Sequence, residues 1–148
     1  MSHVALITVE HVLAHGDDLK TALPTKWCRP LYDAIRSQFR TVALTASDQE
    51  TARWWLRREA LASWSSVISW NHVMSYEDWR IDQVRDFLAN AWEVAFLLDN
   101  DRDVTTVVQS MGVLTLNIGH PLVHPGWKPE GHLFRPWNEV SDTVEQSL

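Results

Sequence analysis

The chain has 148 residues, 45% apolar and 22% charged, with a formal net charge of −6. That length suits one domain around one core, and no apolar run approaches the roughly 18 residues that a membrane span needs. The acidic balance argues against a broad nucleic-acid surface, and the single cysteine, Cys28, excludes an intrachain disulfide and a thiolate-rich zinc site.

The first apolar run, residues 4–9 (VALITV), is short and β-branched, as expected of a buried strand. No basic region, long apolar stretch or cleavage site accompanies it, which leads us to expect a cytoplasmic protein. Residues 14–28 contain Gly16, Asp17, Asp18 and Pro24 and read as a long loop, the two Asp as turn residues. Residues 30–39 follow as a helix with Leu31, Ile35 and Phe39 on one face. Cys28, near its start, reads as inert packing.

Residues 41–45 (TVALT) form the second expected strand. Ser47-Asp48-Gln49-Glu50 has a capping-box pattern opening a helix to about residue 61. Arg53, Arg57 and Arg58 lie on that helix and read as a solvated face. Trp54 and Trp55 are adjacent on it, and neighbours on a helix point about 100° apart, so one of them should leave the core face. Residues 66–70 (SVISW) give a third strand. Residues 76–90 give an amphipathic helix with Ile81, Val84, Leu88 and Ala91 at helical spacing, and residues 93–98 (EVAFLL) a fourth strand. A short helix over 103–111 stops at Gly112, and residues 113–118 (VLTLNI) make a fifth strand. Strands alternating with helices imply right-handed crossovers and a mostly parallel α/β sheet over residues 1–119, without a large cap domain.

From His120 onward the chain changes character. Pro121, Pro125, Pro129 and Pro136 alternate with Trp127, Phe134 and Trp137, so residues 120–148 read as an extension packed by its aromatics on the domain or on a partner. Nine tryptophans in so short a chain point to interaction surfaces as well as core. His11 and His15 are four apart, as are His120 and His124, but neither pair lies in a helical pattern, so both read as ordinary histidines rather than zinc ligands.

In a doubly wound sheet, ligands bind beyond the C-terminal ends of the strands. Thr8 to His11, Thr45 to Ser47 and Asp99 to Asp103 all fall there. Their order and content resemble the haloacid dehalogenase (HAD) superfamily. Its first motif, Asp-x-Asp-Gly-x-Leu, corresponds to Thr8-Val9-Glu10-His11-Val12-Leu13 here. Its second, an apolar strand ending in Ser or Thr, corresponds to VALTAS with Thr45. Its fourth, a strand ending in Asp before a helix, a Gly and a strand, corresponds to FLLDNDRDVTTVVQSMGVLTLNI with Asp99. TARWWLRREAL and NHVMSYEDWRIDQVRDFLAN are similar to the phosphatase domain of polynucleotide kinases, and Arg80 falls near that group's third-motif Lys. The resemblance covers residues 3–118.

The resemblance implies a Rossmann-like fold, phosphate contacts from Thr45 and Arg80, and a magnesium site at Asp99 with Asn100, weakened by the missing carboxylate at Thr8. It also implies a damaged catalytic set. Thr8 stands in place of the nucleophilic Asp, and a neutral hydroxyl without a base attacks poorly. Glu10 stands in place of the acid, one methylene longer, and a 1 Å misplacement can cost about 10²-fold. The main expectation is a non-catalytic HAD-like protein that binds a phosphorylated ligand, a protein partner or its own copies, away from membranes. The alternatives are an active or weakly active phosphatase on nucleotide or nucleic-acid ends, and an unrelated flavodoxin-like domain.

Overall fold

The computed structural model describes residues 3–61 and 63–118. The expected extension at 120–148, with its aromatics and the His120/His124 pair, lies outside the described residues.

Among the described residues nine elements follow in chain order: β1 (His3–Thr8), α1 (Cys28–Arg36), β2 (Arg40–Thr45), α2 (Gln49–Arg58), β3 (Ser66–Ser69), α3 (Tyr76–Ala89), β4 (Glu93–Asp99), α4 (Arg102–Ser110) and β5 (Thr115–Asn117). The strands make one parallel sheet in the order β3-β2-β1-β4-β5. After their first residues, β1 and β2 are buried on both faces. Helices cover both sides of a parallel sheet, and this explains why these strands read as continuous apolar runs rather than alternating ones.

Alternate residues of each strand serve opposite faces. Ala5, Ile7, Ala43 and Leu98 pack with Tyr32 and Ile35 of α1 and with Trp55 and Leu56 of α2. Val4, Leu6, Val42 and Leu44 pack with Trp79 and Val84 of α3 and with Val104 and Val108 of α4. Two cores therefore sandwich the sheet, and the strand ends are left to carry polar groups.

Several local expectations shift. Helix α2 is capped by Asp48, not Ser47: the Asp48 carboxylate accepts from the Thr51 backbone N–H at 2.9 Å. Ser47 is engaged elsewhere, its hydroxyl donating to Glu10 at 3.3 Å. Helix α1 ends at Arg36, so Phe39 lies beyond it, and Tyr32 rather than Leu31 is fully buried. Helix α3 turns Trp79, Arg80, Ile81 and Val84 inward and leaves Leu88 exposed, while Ala91 falls past its end in a left-handed conformation. A polar residue, Arg80, takes an inward position there that an apolar count cannot foresee.

The adjacent tryptophans divide as expected. Trp55 is buried and donates its indole N–H to the Ala22 carbonyl at 3.0 Å, whereas Trp54 is 41% exposed. Cys28 is buried at the start of α1, and burial pushes its thiol up to about 11. Asp18 accepts from the Lys20 backbone N–H at 3.0 Å, as a turn residue does. Trp55→Ala should destabilise the fold by about 3–5 kcal/mol in urea titrations, and Trp54→Ala by about 0.5 kcal/mol or less.

Candidate functional site

The chain runs outward from β1 through β2 to β3, then crosses back to β4 and β5 on the other side. Loops leaving β1 and β4 at their C-terminal ends therefore diverge, and a crevice opens where they part. Thr8 ends β1 and Asp99 ends β4. Both are buried, and the Thr8 hydroxyl donates to Asp99 Oδ2 at 2.7 Å.

Asp99 has further partners at this edge. Its Oδ1 accepts from the backbone N–H groups of Asn100 at 2.7 Å and Asp101 at 2.9 Å. Arg80 Nη2 lies 3.3 Å from the same oxygen and 3.4 Å from Asp101 Oδ2. Arg80 Nε is 2.9 Å from Asp99 Oδ2, an ion pair by distance although its N–H is not aimed along a hydrogen bond. The guanidinium also sits 4.2 Å over the Tyr76 ring. A buried charge needs such a surround, since desolvation alone would cost several kcal/mol.

Glu10 is the second buried carboxylate. It follows β1 in a tight turn whose next residue, His11, has φ +67°, a conformation glycine adopts freely and other residues rarely. His11 stands where the first motif has its Gly. The Glu10 carboxylate accepts from the Thr45 hydroxyl at 2.6 Å, the Ala46 backbone N–H at 2.9 Å, the Ser47 hydroxyl at 3.3 Å and the Tyr76 hydroxyl at 3.0 Å. Burial, and next the Glu10 carboxylate beside it, push the Tyr76 phenol well above its ordinary range. A cavity of about 430 Å³ opens over this edge, lined by Glu10, Tyr76, Arg80, Asn100, Asp101 and Arg102 among others.

No protein-family model matches the sequence, and no curated protein does. Solved structures do match. A chain of the Pnkp1/Rnl/Hen1 RNA repair complex superimposes with a TM-score of 0.68 at 9% identity, covering 81% of this chain and 43% of that one. A further structure of the Pnkp1/Rnl/Hen1 complex gives the same TM-score at 10% identity, covering 81% and 47%. This chain thus spans less than half the length of those chains. A HAD family enzyme from Bacteroides thetaiotaomicron, in complex with magnesium and inorganic phosphate, matches with a TM-score of 0.55 at 12% identity, covering 91% of this chain and 100% of that one. The fold is HAD-like.

Within this HAD-like fold the residues do not fit a magnesium ion. Magnesium demands near-octahedral oxygen ligands at about 2.0–2.1 Å. Thr8 offers a neutral hydroxyl already donating to Asp99, and the Asn100 backbone N–H takes up one Asp99 oxygen. Both Asp99 oxygens face Arg80, so a divalent ion reaching them would have to displace a guanidinium of like charge. Among the described residues, no three His, Cys, Asp or Glu side chains are grouped to hold a metal. The His11 ring contacts the Asp17 carboxylate.

The structure brings Thr8, Arg80, Asp99 and Asn100 into one network and Glu10 and Thr45 into another. Tyr76 bridges them, touching Glu10 through its hydroxyl and Arg80 through its ring. The sequence places Ala46 and Ser47 at this edge without giving them a partner, and it does not single out Tyr76. Tyr76 sits one turn before Arg80 on α3, and that i, i+4 spacing is the signal that could have found it.

Two outcomes follow for this network. Arg80→Met should cost about 3 kcal/mol in urea titrations, because it strands Asp99 beside Asp101 without its cation. The folded chain keeps the Tyr76 proton where the unfolded chain releases it, so the contribution of Tyr76 is constant below about pH 10 and is lost as pH rises above it. Tyr76→Phe should flatten the alkaline fall in the urea midpoint between about pH 10 and 11.

Proposed function

We propose that this chain is a HAD-like protein that has lost phosphatase catalysis and acts by binding a protein partner. In this reading the Glu10 carboxylate stands in the seat that a substrate phosphate would take. The single observation that carries it is the set of donors converging on Glu10: the Thr45 hydroxyl and Ala46 N–H at the end of β2, with Ser47 and Tyr76 beside them. In the family that the sequence resembles, the position of Thr45 is a phosphate contact. Here the same donors face an internal anion.

The other site residues support the same reading. Arg80, which would balance phosphate charge, is tied to Asp99 and Asp101. Thr8 has a carboxylate to take its proton, yet a phosphothreonine hydrolyses far less readily than an acyl phosphate. Loss of the nucleophile in a hydrolase costs on the order of 10⁶ in turnover. A binding role agrees with the multi-protein assemblies in which the matching chains were solved.

The purified protein with magnesium should release no phosphate above background from p-nitrophenyl phosphate or from 3′-phosphorylated oligonucleotides. Turnover abolished by Glu10→Gln would overturn the reading in favour of an active phosphatase. Inorganic phosphate should leave the Ala46 amide of the wild type unmoved in a ¹H–¹⁵N NMR titration. In Glu10→Ala the same titration should shift that amide saturably, since its donors are then free for an external anion. A wild type that binds phosphate at Ala46 would remove the self-occupied seat.

A further inference from the structure

Helix α2 presents a second polar feature, remote from the sheet edge. Arg53 and Arg57 are exposed, four residues apart on one face, and among the described residues neither side chain has a hydrogen bond or ion pair. Like charges at this spacing repel by a few tenths of a kcal/mol. Between them and the edge strand β3 lies a cleft of about 110 Å³ floored by Leu56, Trp64 and Val67. An unneutralised guanidinium pair over an apolar floor fits a segment carrying carboxylates around an aliphatic side chain.

The chain itself holds such a segment. Residues 138–148 (NEVSDTVEQSL), outside the described residues, carry Glu139, Asp142 and Glu145 and no Lys, Arg or His, with Val140 and Val144 between the acids. We infer that residues 138–148 of this same chain dock on the outer face of α2, their acids on Arg53 and Arg57 and a valine in the cleft. Reach permits it. The 20 residues from Ile118 to Asn138 span up to about 65 Å when extended. The four strand spacings from β5 to β3 amount to about 19 Å. A tether of that length gives an effective concentration in the millimolar range, enough to hold a weak contact.

A long nucleic-acid strand fits this face less well. Affinity for such a strand comes from neutralising many phosphates. Beyond Arg53 and Arg57 a strand would meet Lys20 but also Asp48 and Glu50, while Arg58 is already paired with Glu59. This docking extends the binding role proposed above to a second place on the molecule, and its test reads α2 alone, so its failure leaves the Glu10 reading intact.

The test uses the full chain with Cys28→Ala and a nitroxide spin label attached at Ser147→Cys. Amide broadening in dilute ¹⁵N-labelled protein should concentrate on residues 53–57, 64 and 67. It should vanish in Arg53→Glu/Arg57→Glu, with an unchanged melting temperature, and return when Glu139→Lys, Asp142→Lys and Glu145→Lys are added. Broadening that is absent, that falls elsewhere, or that survives the Arg53→Glu/Arg57→Glu exchange would overturn the inference. Broadening seen only when spin-labelled unlabelled-nitrogen protein is mixed with ¹⁵N protein would place the segment on a second copy, and would overturn it too. A single-stranded oligouridylate that displaces nothing from α2 supports the acidic segment; one that binds there more tightly than the segment overturns it.

Discussion

Two carboxylates, Glu10 and Asp99, sit fully inside the C-terminal edge of the sheet, and everything around them is arranged to keep them there. A lone buried carboxylate is unaffordable at the stability of a small domain, which totals about 5–15 kcal/mol. Asp99 is held by two backbone N–H groups, a hydroxyl and a guanidinium, and Glu10 by one backbone N–H and three hydroxyls. Removing either anion would leave its donors without an acceptor.

That requirement shapes the elements nearby. Ser47 serves Glu10, so the cap of α2 moves on to Asp48. Helix α3 turns Arg80 inward to meet Asp99, and the ring of Tyr76, one turn earlier, lies against the guanidinium while its hydroxyl reaches Glu10. The Asp101 side chain caps α4 with one oxygen and faces Arg80 with the other. The crevice that a doubly wound topology opens is thus lined by groups that already satisfy one another, and this underlies the proposed loss of turnover.

The outer face of α2 follows the opposite rule. There the cations Arg53 and Arg57 are exposed, where a charge costs little and remains available to an anion. The same helix buries Trp55 and Leu56 on its inner side, so its two faces have separate tasks: one holds the core, the other meets whatever docks.

Much of the fold was legible in the sequence. Parallel strands buried on both sides must be short apolar runs, and helices between them must show a 3.6-residue period, so element order, sheet type and the position of the polar clusters could be read directly. The residues at the edge could be named for the same reason: topology brings strand ends together whatever their chemistry. Their pairings could not be read. Whether Glu10 points to solvent or accepts from Thr45, and whether Arg80 meets an incoming anion or Asp99, depends on separations of an ångström between residues up to 35 positions apart in the chain. No local pattern encodes such distances, because they are set by how two cores pack the helices against the sheet. The sequence determined which groups reach the edge, and only the tertiary structure decided that they bind one another.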